Sequence, residues 1–382
     1  MGDYRWACAA TLIWFWCTGN LSAQEPVPWH DPSPHSIQFV TVDENVKLEV
    51  LDWGGSGKPL VLLAGLGNTA HVFDDLAPKL AFEYHVHGIT RRGFGASSTP
   101  ASGYSADRLG DDVLAVLDAL KLVRPVLAGH SIAGEELSSV ATRHAERVAG
   151  VIYLDAGYSN AFYHRSRATL GIDLVQLRKK LDQLQLGMIG LRDRTLVQEL
   201  LQSDLPLIEK DLQEQQAYGQ AFPPQSQIAD APPPSTDDLA SFAAFRAYLK
   251  RVRGVDYPEA DLRQTHESKS DGGVGKRLDQ PSVSEAIMAG EQKFTDIRVP
   301  VLAIYANPHD PSPYAFDTFN TPAERAAAEA IPTAETEDQA KAFEIGVPSS
   351  HVVILPHANH YVFLSNEADV LREMRAFLTG LH

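Results

Sequence analysis

The segment Val126-Leu127-Ala128-Gly129-His130-Ser131-Ile132-Ala133-Gly134 sets a serine between an apolar run and a stretch of helical periodicity. A serine hydroxyl is a weak nucleophile until a neighbouring base takes its proton. A strand that turns sharply into a helix supplies the positional part of that requirement. It thrusts the side chain out of the sheet, and the helix N-terminus favours the negative charge that develops on an attacked carbonyl. Small residues two places before and after the serine let strand and helix approach, and Gly129 and Ala133 fill those places. In the common Gly-x-Ser-x-Gly pattern the last position is glycine; here it is alanine, with Gly134 one residue late. Such a serine works through a covalent intermediate, and it needs a base, an acid to orient the base, and N–H donors for the oxyanion.

These flanks resemble the α/β-hydrolase superfamily, and three further segments match its pattern in order. Leu62-Leu63-Ala64-Gly65-Leu66-Gly67-Asn68 follows an apolar strand, at the place where relatives often carry His-Gly; Ala64 stands where that histidine would be. The resemblance implies that the N–H of Leu66 and that of Ile132 form the oxyanion hole. A tight glycine turn with no such role fits the same residues. Thr90-Arg91-Arg92-Gly93-Phe94-Gly95-Ala96-Ser97 is similar to the Arg-Gly-x-Gly-x-Ser loop of esterase-like and epoxide-hydrolase-like members. Its expected role is structural, with Arg92 organising the loop.

The acid is expected after the strand Val299–Ala306, in the exit loop Asn307-Pro308-His309-Asp310-Pro311. Position in the family pattern points to Asp310. Asp155, at the end of an earlier strand, is the alternative, because some relatives carry the acid there. The base is expected beyond the last strand, in Pro356-His357-Ala358-Asn359-His360. His360 matches the family's histidine, and His357 follows the strand too closely. The implied catalytic set is Ser131, Asp310 and His360, in the order Ser…Asp…His.

Other chemistries find less support. His85-Val86-His87 is a His-x-His pair on one face of a predicted strand, without the local carboxylate-histidine cluster of a familiar metal motif, so a structural role is expected. Gly54-Gly55-Ser56-Gly57-Lys58 is followed by Pro59 and a strand, which excludes a phosphate-binding P-loop. Glu135 and Glu136, one turn past the serine, are expected to complement the helix dipole or to pair with Arg91 or Arg92. No cofactor is expected.

Positioning these residues takes a sheet. Strand-like runs occur at Ser36–Val42, Val46–Trp53, Pro59–Ala64, Tyr84–Thr90, Pro125–Gly129 and Val151–Asp155. Asp107–Leu120 is predicted helical, with Leu109, Val113, Val116, Leu117 and Leu120 on one face, as is Ile132–His144. The alternation stops after Asp155 and resumes at Val299, through Val301–Tyr305, a helix near Glu324–Ala330, Val352–Leu355 and a closing helix near Glu367–Leu378. Between them lies a mainly helical insertion. It carries one stripe at Leu174, Leu177, Leu181 and Leu184 and another at Phe242, Phe245, Tyr248, Leu249 and Val252. Pro232–Pro234 reads as a loop, and Asp271–Gly275 as a flexible stretch.

The fold class expected is thus α/β: an α/β-hydrolase fold, with a mostly parallel central sheet, flanking helices and an inserted helical cap. Its parts are 24–157 and 297–382 for the core and 158–296 for the cap. Residues 1–23 read as a signal peptide, with Arg5, the short apolar run Ala7–Cys17 and a cleavage site after Ala23. Export to the periplasm or the medium follows as an expectation. Removal would take Cys8 and Cys17, both cysteines of the chain, and so exclude disulfides and thiol chemistry. A net charge of −16 speaks against nucleic acid as a partner. No stretch of the mature chain is apolar enough to insert in a membrane. The expected partner is a small-molecule ester.

Overall fold

The computed structural model describes residues 29–164, 170–185, 191–221, 231–310 and 321–381. The expected signal segment lies outside them. Contacts divide the chain into Met1–Pro32 and Ser33–His382, and all that follows belongs to the second unit.

Ten strands form among the described residues of that unit: β1 (Ser36–Asp43), β2 (Val46–Gly54), β3 (Pro59–Leu63), β4 (His85–Ile89), β5 (Val126–His130), β6 (Gly150–Leu154), β7 (His266–Ser268), β8 (Val274–Arg277), β9 (Val301–Ala306) and β10 (Ser350–Leu355). Eight of them make one sheet in the order β1-β2-β4-β3-β5-β6-β9-β10. β2 runs antiparallel to both its neighbours, and every pairing from β4 to β10 is parallel. The helices are α1 (Ala77–Leu80), α2 (Ala106–Ala119), α3 (Ala133–Arg143), α4 (Leu170–Gln185), α5 (Leu191–Glu199), α6 (Leu205–Ala221), α7 (Phe242–Arg253), α8 (Glu259–Thr265), α9 (Pro281–Met288), α10 (Pro322–Gly346), α11 (Val362–Ser365) and α12 (Glu367–Gly380).

Strands β5, β6 and β9 are buried along their whole length, as parallel strands covered on both faces must be. Alternate residues feed two cores. Val61, Leu63, Leu127, Val151, Tyr153 and Ala303 face Val113, Val116 and Leu117 of α2, Leu137 and Val140 of α3, and Phe343 of α10. Leu60, Leu62, Ala128, Ile152, Leu154 and Ile304 face Phe73 and Leu76 beyond β3 and Val370, Met374 and Leu378 of α12. Because all the parallel strands end on one side, the loops after β3, β5, β6, β9 and β10 gather there. That edge is where an open α/β sheet places its chemistry.

The insertion between β6 and β9 holds α4 to α9. It also holds a hairpin, β7 paired with β8, whose turn uses the Asp271–Gly275 stretch expected to be flexible. Phe242, Phe245, Tyr248, Leu249 and Val252 of α7 form a buried cluster of their own with Tyr257 and Leu262, as their spacing requires. Leu174 and Leu181 of α4 are instead exposed. Among the described residues, no helix is long and apolar enough to cross a membrane.

Candidate active site

Ser131 follows β5 directly, with φ of 55°, a left-handed conformation that non-glycine residues rarely adopt. The strain is local to the turn: Ser131 N–H donates to Leu154 O at 3.4 Å, and its carbonyl accepts from Gly134 N at 3.0 Å as α3 begins. The neighbouring small residues have separate reasons. A Cβ on Gly129 would lie 3.0 Å from that of Ala133 and 3.1 Å from Leu137, so the helix would have to give way by a few tenths of an ångström. A Cβ on Gly134 would stand 2.1 Å from Ala156 O. The glycine displaced by one residue is therefore the one that the β6 exit loop demands, while the buried Ala133 packs in the core.

The carboxylate partner of His360 differs from expectation. His360 Nδ1 donates to Asp155 Oδ2 at 2.6 Å. Asp310 is exposed; its backbone N–H donates to Ala358 O, so the residue ties two loops together by its main chain. The physical reason lies in the topology: β6 and β9 are neighbours, and both exits point at the same edge. Asp155 comes directly after its strand, with φ of 46°, and its buried carboxylate turns into the space between the two strands. Asp310 comes four residues after β9 ends and has left that space. In its place the preceding residue, His309, donates from Nε2 to Asp155 Oδ2 at 2.7 Å.

Asp155 thus receives four donors. Oδ1 accepts Tyr158 OH at 2.7 Å and Ala306 N–H at 3.0 Å, and Oδ2 accepts the two histidines. Burial by itself would raise its pKa, but the hydrogen bonds from His309 and His360 outweigh it and hold the carboxyl well below the usual range. Asp155, His309 and His360 also have the proximity of a metal-binding group. Both nitrogens, however, stand at hydrogen-bond distance from one shared oxygen, which suits two N–H donors better than three ligands around an ion.

His130 was not singled out by its sequence. It is fully buried, its ring centroid is 4.6 Å from that of His360, and its Nε2 donates to His360 O at 3.0 Å. Burial first, and His360 second, lower its pKa to about 3, so it stays neutral. It joins the residue before the serine to the backbone of the base. Its only sequence signal is its position at the end of a buried strand, where a polar ring needs a partner.

The Gly65–Gly67 turn lies against the same point. A Cβ on Gly65 would be 2.6 Å from His130 Nδ1 and 3.4 Å from Ser131 Cβ. Leu66 and Ile132, the two residues expected to donate to an oxyanion, pack their side chains on one cluster made by Phe94, Tyr104, Leu109, Val283 and Ile287. The turn is held from behind by Arg91, whose Nη2 donates to Ala64 O at 2.8 Å and Nη1 to Gly65 O at 3.4 Å. Arg91 Nε pairs with Glu136. Arg92 organises its own loop as expected, through a buried two-point contact with Asp112 at 2.6 Å. Glu135 pairs with neither arginine: it is buried, and both its carboxyl oxygens lack a hydrogen-bond partner among the described residues.

The insertion is stitched to this turn. Asp261 of α8 accepts Asn68 Nδ2 at 2.9 Å and both Thr69 N–H and Oγ1 at 2.8 and 2.9 Å, and Arg277 of β8 donates to Gly67 O at 3.3 Å. From the other side, Tyr361 OH donates to Asn68 Oδ1 at 2.9 Å.

Comparison with known proteins agrees with this architecture. The family described as alpha/beta hydrolase fold matches residues 58–211. The AB hydrolase superfamily protein YisY of Bacillus subtilis is 30% identical over 150 residues, 37% of this chain and 55% of that protein. A 2-(acetamidomethylene)succinate hydrolase of Mesorhizobium japonicum is 27% identical over 101 residues, 26% of this chain and 36% of that protein. The matched segments span from about a third to about half of these relatives. The crystal structure of E-2-(acetamidomethylene)succinate hydrolase superposes with a TM-score of 0.56 at 17% identity, covering 91% of this chain and all of that one, a likeness of fold. Sheet order, serine turn and family match lead to one conclusion: the chain has the α/β-hydrolase fold, and its residues 58–211 match the family of that description.

Proposed function

We propose that the protein is a serine hydrolase that cleaves a carboxylic ester of a small or medium-sized substrate through an acyl-enzyme. The observation that carries this reading is the His360–Asp155 hydrogen bond, joined through His130 to a serine held at positive φ. In the proposed reaction His360 takes the Ser131 proton as Oγ attacks the carbonyl carbon. The Leu66 and Ile132 amides receive the oxyanion, and Asp155 stabilises the imidazolium. His360 then gives its proton to the departing alcohol, leaving Ser131 acylated. In the second half His360 deprotonates a water that attacks the acyl carbon, and its proton returns to Ser131 as the acid departs. The same set would serve an amide or a lactone. The Mesorhizobium relative, named for a hydrolase of an acetamidomethylene compound, gives that second reading its weight. A non-catalytic ligand-binding role is the remaining alternative. Export, with residues 1–23 removed, is part of the proposal and rests on the sequence of that segment.

The test is hydrolysis of a chain-length series of p-nitrophenyl esters, with matched anilides and lactones, by the protein and by Ser131→Ala. Ester turnover lost in Ser131→Ala supports the reading. Turnover of anilides or lactones alone moves the activity to those bonds. No turnover of any of them by folded protein removes the serine-hydrolase reading.

A further inference from the structure

At the edge of the sheet away from Ser131, β2 and β4 bring together Asp52, His85 and His87. The two histidines project from the same face of β4, and Asp52 stands opposite His87 in the antiparallel register. His85 pairs with Pro59 at the start of β3 and His87 with Val61, so the group lies within the sheet toward the strand ends opposite to those that carry the serine. One candidate ligand atom from each residue lies within 4.8 Å of the others. His85 Nε2 is 2.9 Å from Asp52 Oδ1, and His87 Nδ1 is 3.8 Å from the same oxygen. In a tetrahedral zinc site with bonds of about 2.0–2.1 Å, neighbouring ligand atoms are about 3.3 Å apart. The two separations bracket that spacing, so small side-chain rotations complete the geometry.

A second observation points to a ligand. The His87 side chain is only 4% exposed, yet among the described residues neither of its ring nitrogens has a hydrogen-bond partner. A buried imidazole left unpartnered on both nitrogens is costly, and such a group calls for something that would satisfy it. Its strand neighbour on β3 is the apolar Val61, which offers no side-chain partner. Asp52 is engaged by the Gly54 N–H at 2.7 Å as well as by His85, at the point where the β2–β4 register is irregular. Asp52 and His85 are partly exposed, which leaves an entry path and room for water as the fourth ligand.

We propose that Asp52, His85 and His87 bind a divalent transition ion of the zinc class, which clamps β2 to β4. Two imidazoles and a carboxylate suit such an ion better than magnesium or calcium, which prefer oxygen ligands alone. The proposal is independent of the reaction assigned to Ser131.

The experiment is equilibrium dialysis of the chelator-treated full chain against Zn²⁺, with thermal unfolding followed in parallel. Wild type and His360→Gln should each retain one zinc equivalent and unfold at higher temperature with zinc. Asp52→Asn and His85→Gln, whose side chains reach solvent and whose folds can be checked without metal, should bind that equivalent at least ~10-fold more weakly and lose the thermal shift. Ester turnover should be the same in these two variants as in wild type. Wild type that binds no zinc, or binding that is lost in His360→Gln and kept in Asp52→Asn and His85→Gln, overturns the site.

Discussion

His309 Nε2 lies 2.7 Å from Asp155 Oδ2, the oxygen that also holds His360 Nδ1 at 2.6 Å. One carboxylate oxygen thus bridges two imidazoles, while Tyr158 and Ala306 occupy the other. The carboxylate cannot rotate without breaking several bonds at once, and His360 is oriented against a fixed acceptor.

The first expectation concerns which aspartate is the acid. Asp155→Asn should lower kcat by ~10³–10⁴, because the amide favours the wrong tautomer of His360. Asp310→Asn should stay within about twofold of wild type, since that residue contributes its backbone. Steady-state kinetics on the best ester decides this. The reverse ranking would return the role to Asp310.

His309 is a positioning residue in this scheme. His309→Ala frees one side of Asp155 and should lower kcat by about 10-fold with KM little changed, as expected when a reacting group is slightly misplaced. His309→Gln keeps an N–H donor and should recover part of the loss. Equal kcat in His309→Ala and wild type would show that the bond to Asp155 is without kinetic effect.

Arg91 should act through the oxyanion turn. Lysine at this position keeps a positive charge for Glu136 but cannot donate in a fork to Ala64 O and Gly65 O together. Arg91→Lys is expected to lower kcat by ~10–100-fold, as loss of aligned oxyanion donors does in part. Arg91→Met would leave the buried Glu136 charge alone and should cost about 3–5 kcal/mol of stability. The two measurements, kcat for one variant and denaturant unfolding for the other, separate positioning from folding.

Burial, and then the neighbouring Glu136, raise the Glu135 carboxyl well above its ordinary 4.5. Above that pH the folded chain keeps a proton that the unfolded chain has released, so this group's contribution to stability falls as pH rises. Glu135→Gln removes the titration. It should therefore unfold at higher temperature than wild type at pH 8, by about 2 °C or more, and with little difference at pH 4. A variant equally stable or less stable at pH 8 would mean that Glu135 has a partner in solution.

Much of the frame was legible from pattern alone. The runs that became β5, β6 and β9 are short, apolar and bounded by turns, because strands covered on both faces bury every residue. The Ser131 turn and the His360 loop could be picked out in the sequence because the serine directly follows a buried strand and the histidine lies in the loop after the last one. The carboxylate that His360 engages could not, since Asp155 and Asp310 both follow strands and the choice depends on where their side chains turn. The immediate sequel of Asp155 to a buried strand, against three intervening residues for Asp310, is the signal that separates them in retrospect. Helix α10 was read only around Glu324–Ala330, because one narrow buried face, with Gln339, Ala340 and Phe343, leaves little periodicity. The β7–β8 hairpin escaped because strands of three and four residues carry almost no alternation.

Asp155 has a further consequence through its neighbours. Its backbone N–H donates to Ile304 O, and its side chain is held by Ala306, His309 and His360, all of them beyond the insertion. The serine, by contrast, lies in the first half of the 382-residue chain. In the proposed mechanism Ser131 is therefore synthesised long before the groups that would activate it. A nascent or truncated chain would carry an unassisted hydroxyl, and the proposed hydrolysis would become possible only once β9 and β10 have added to β6.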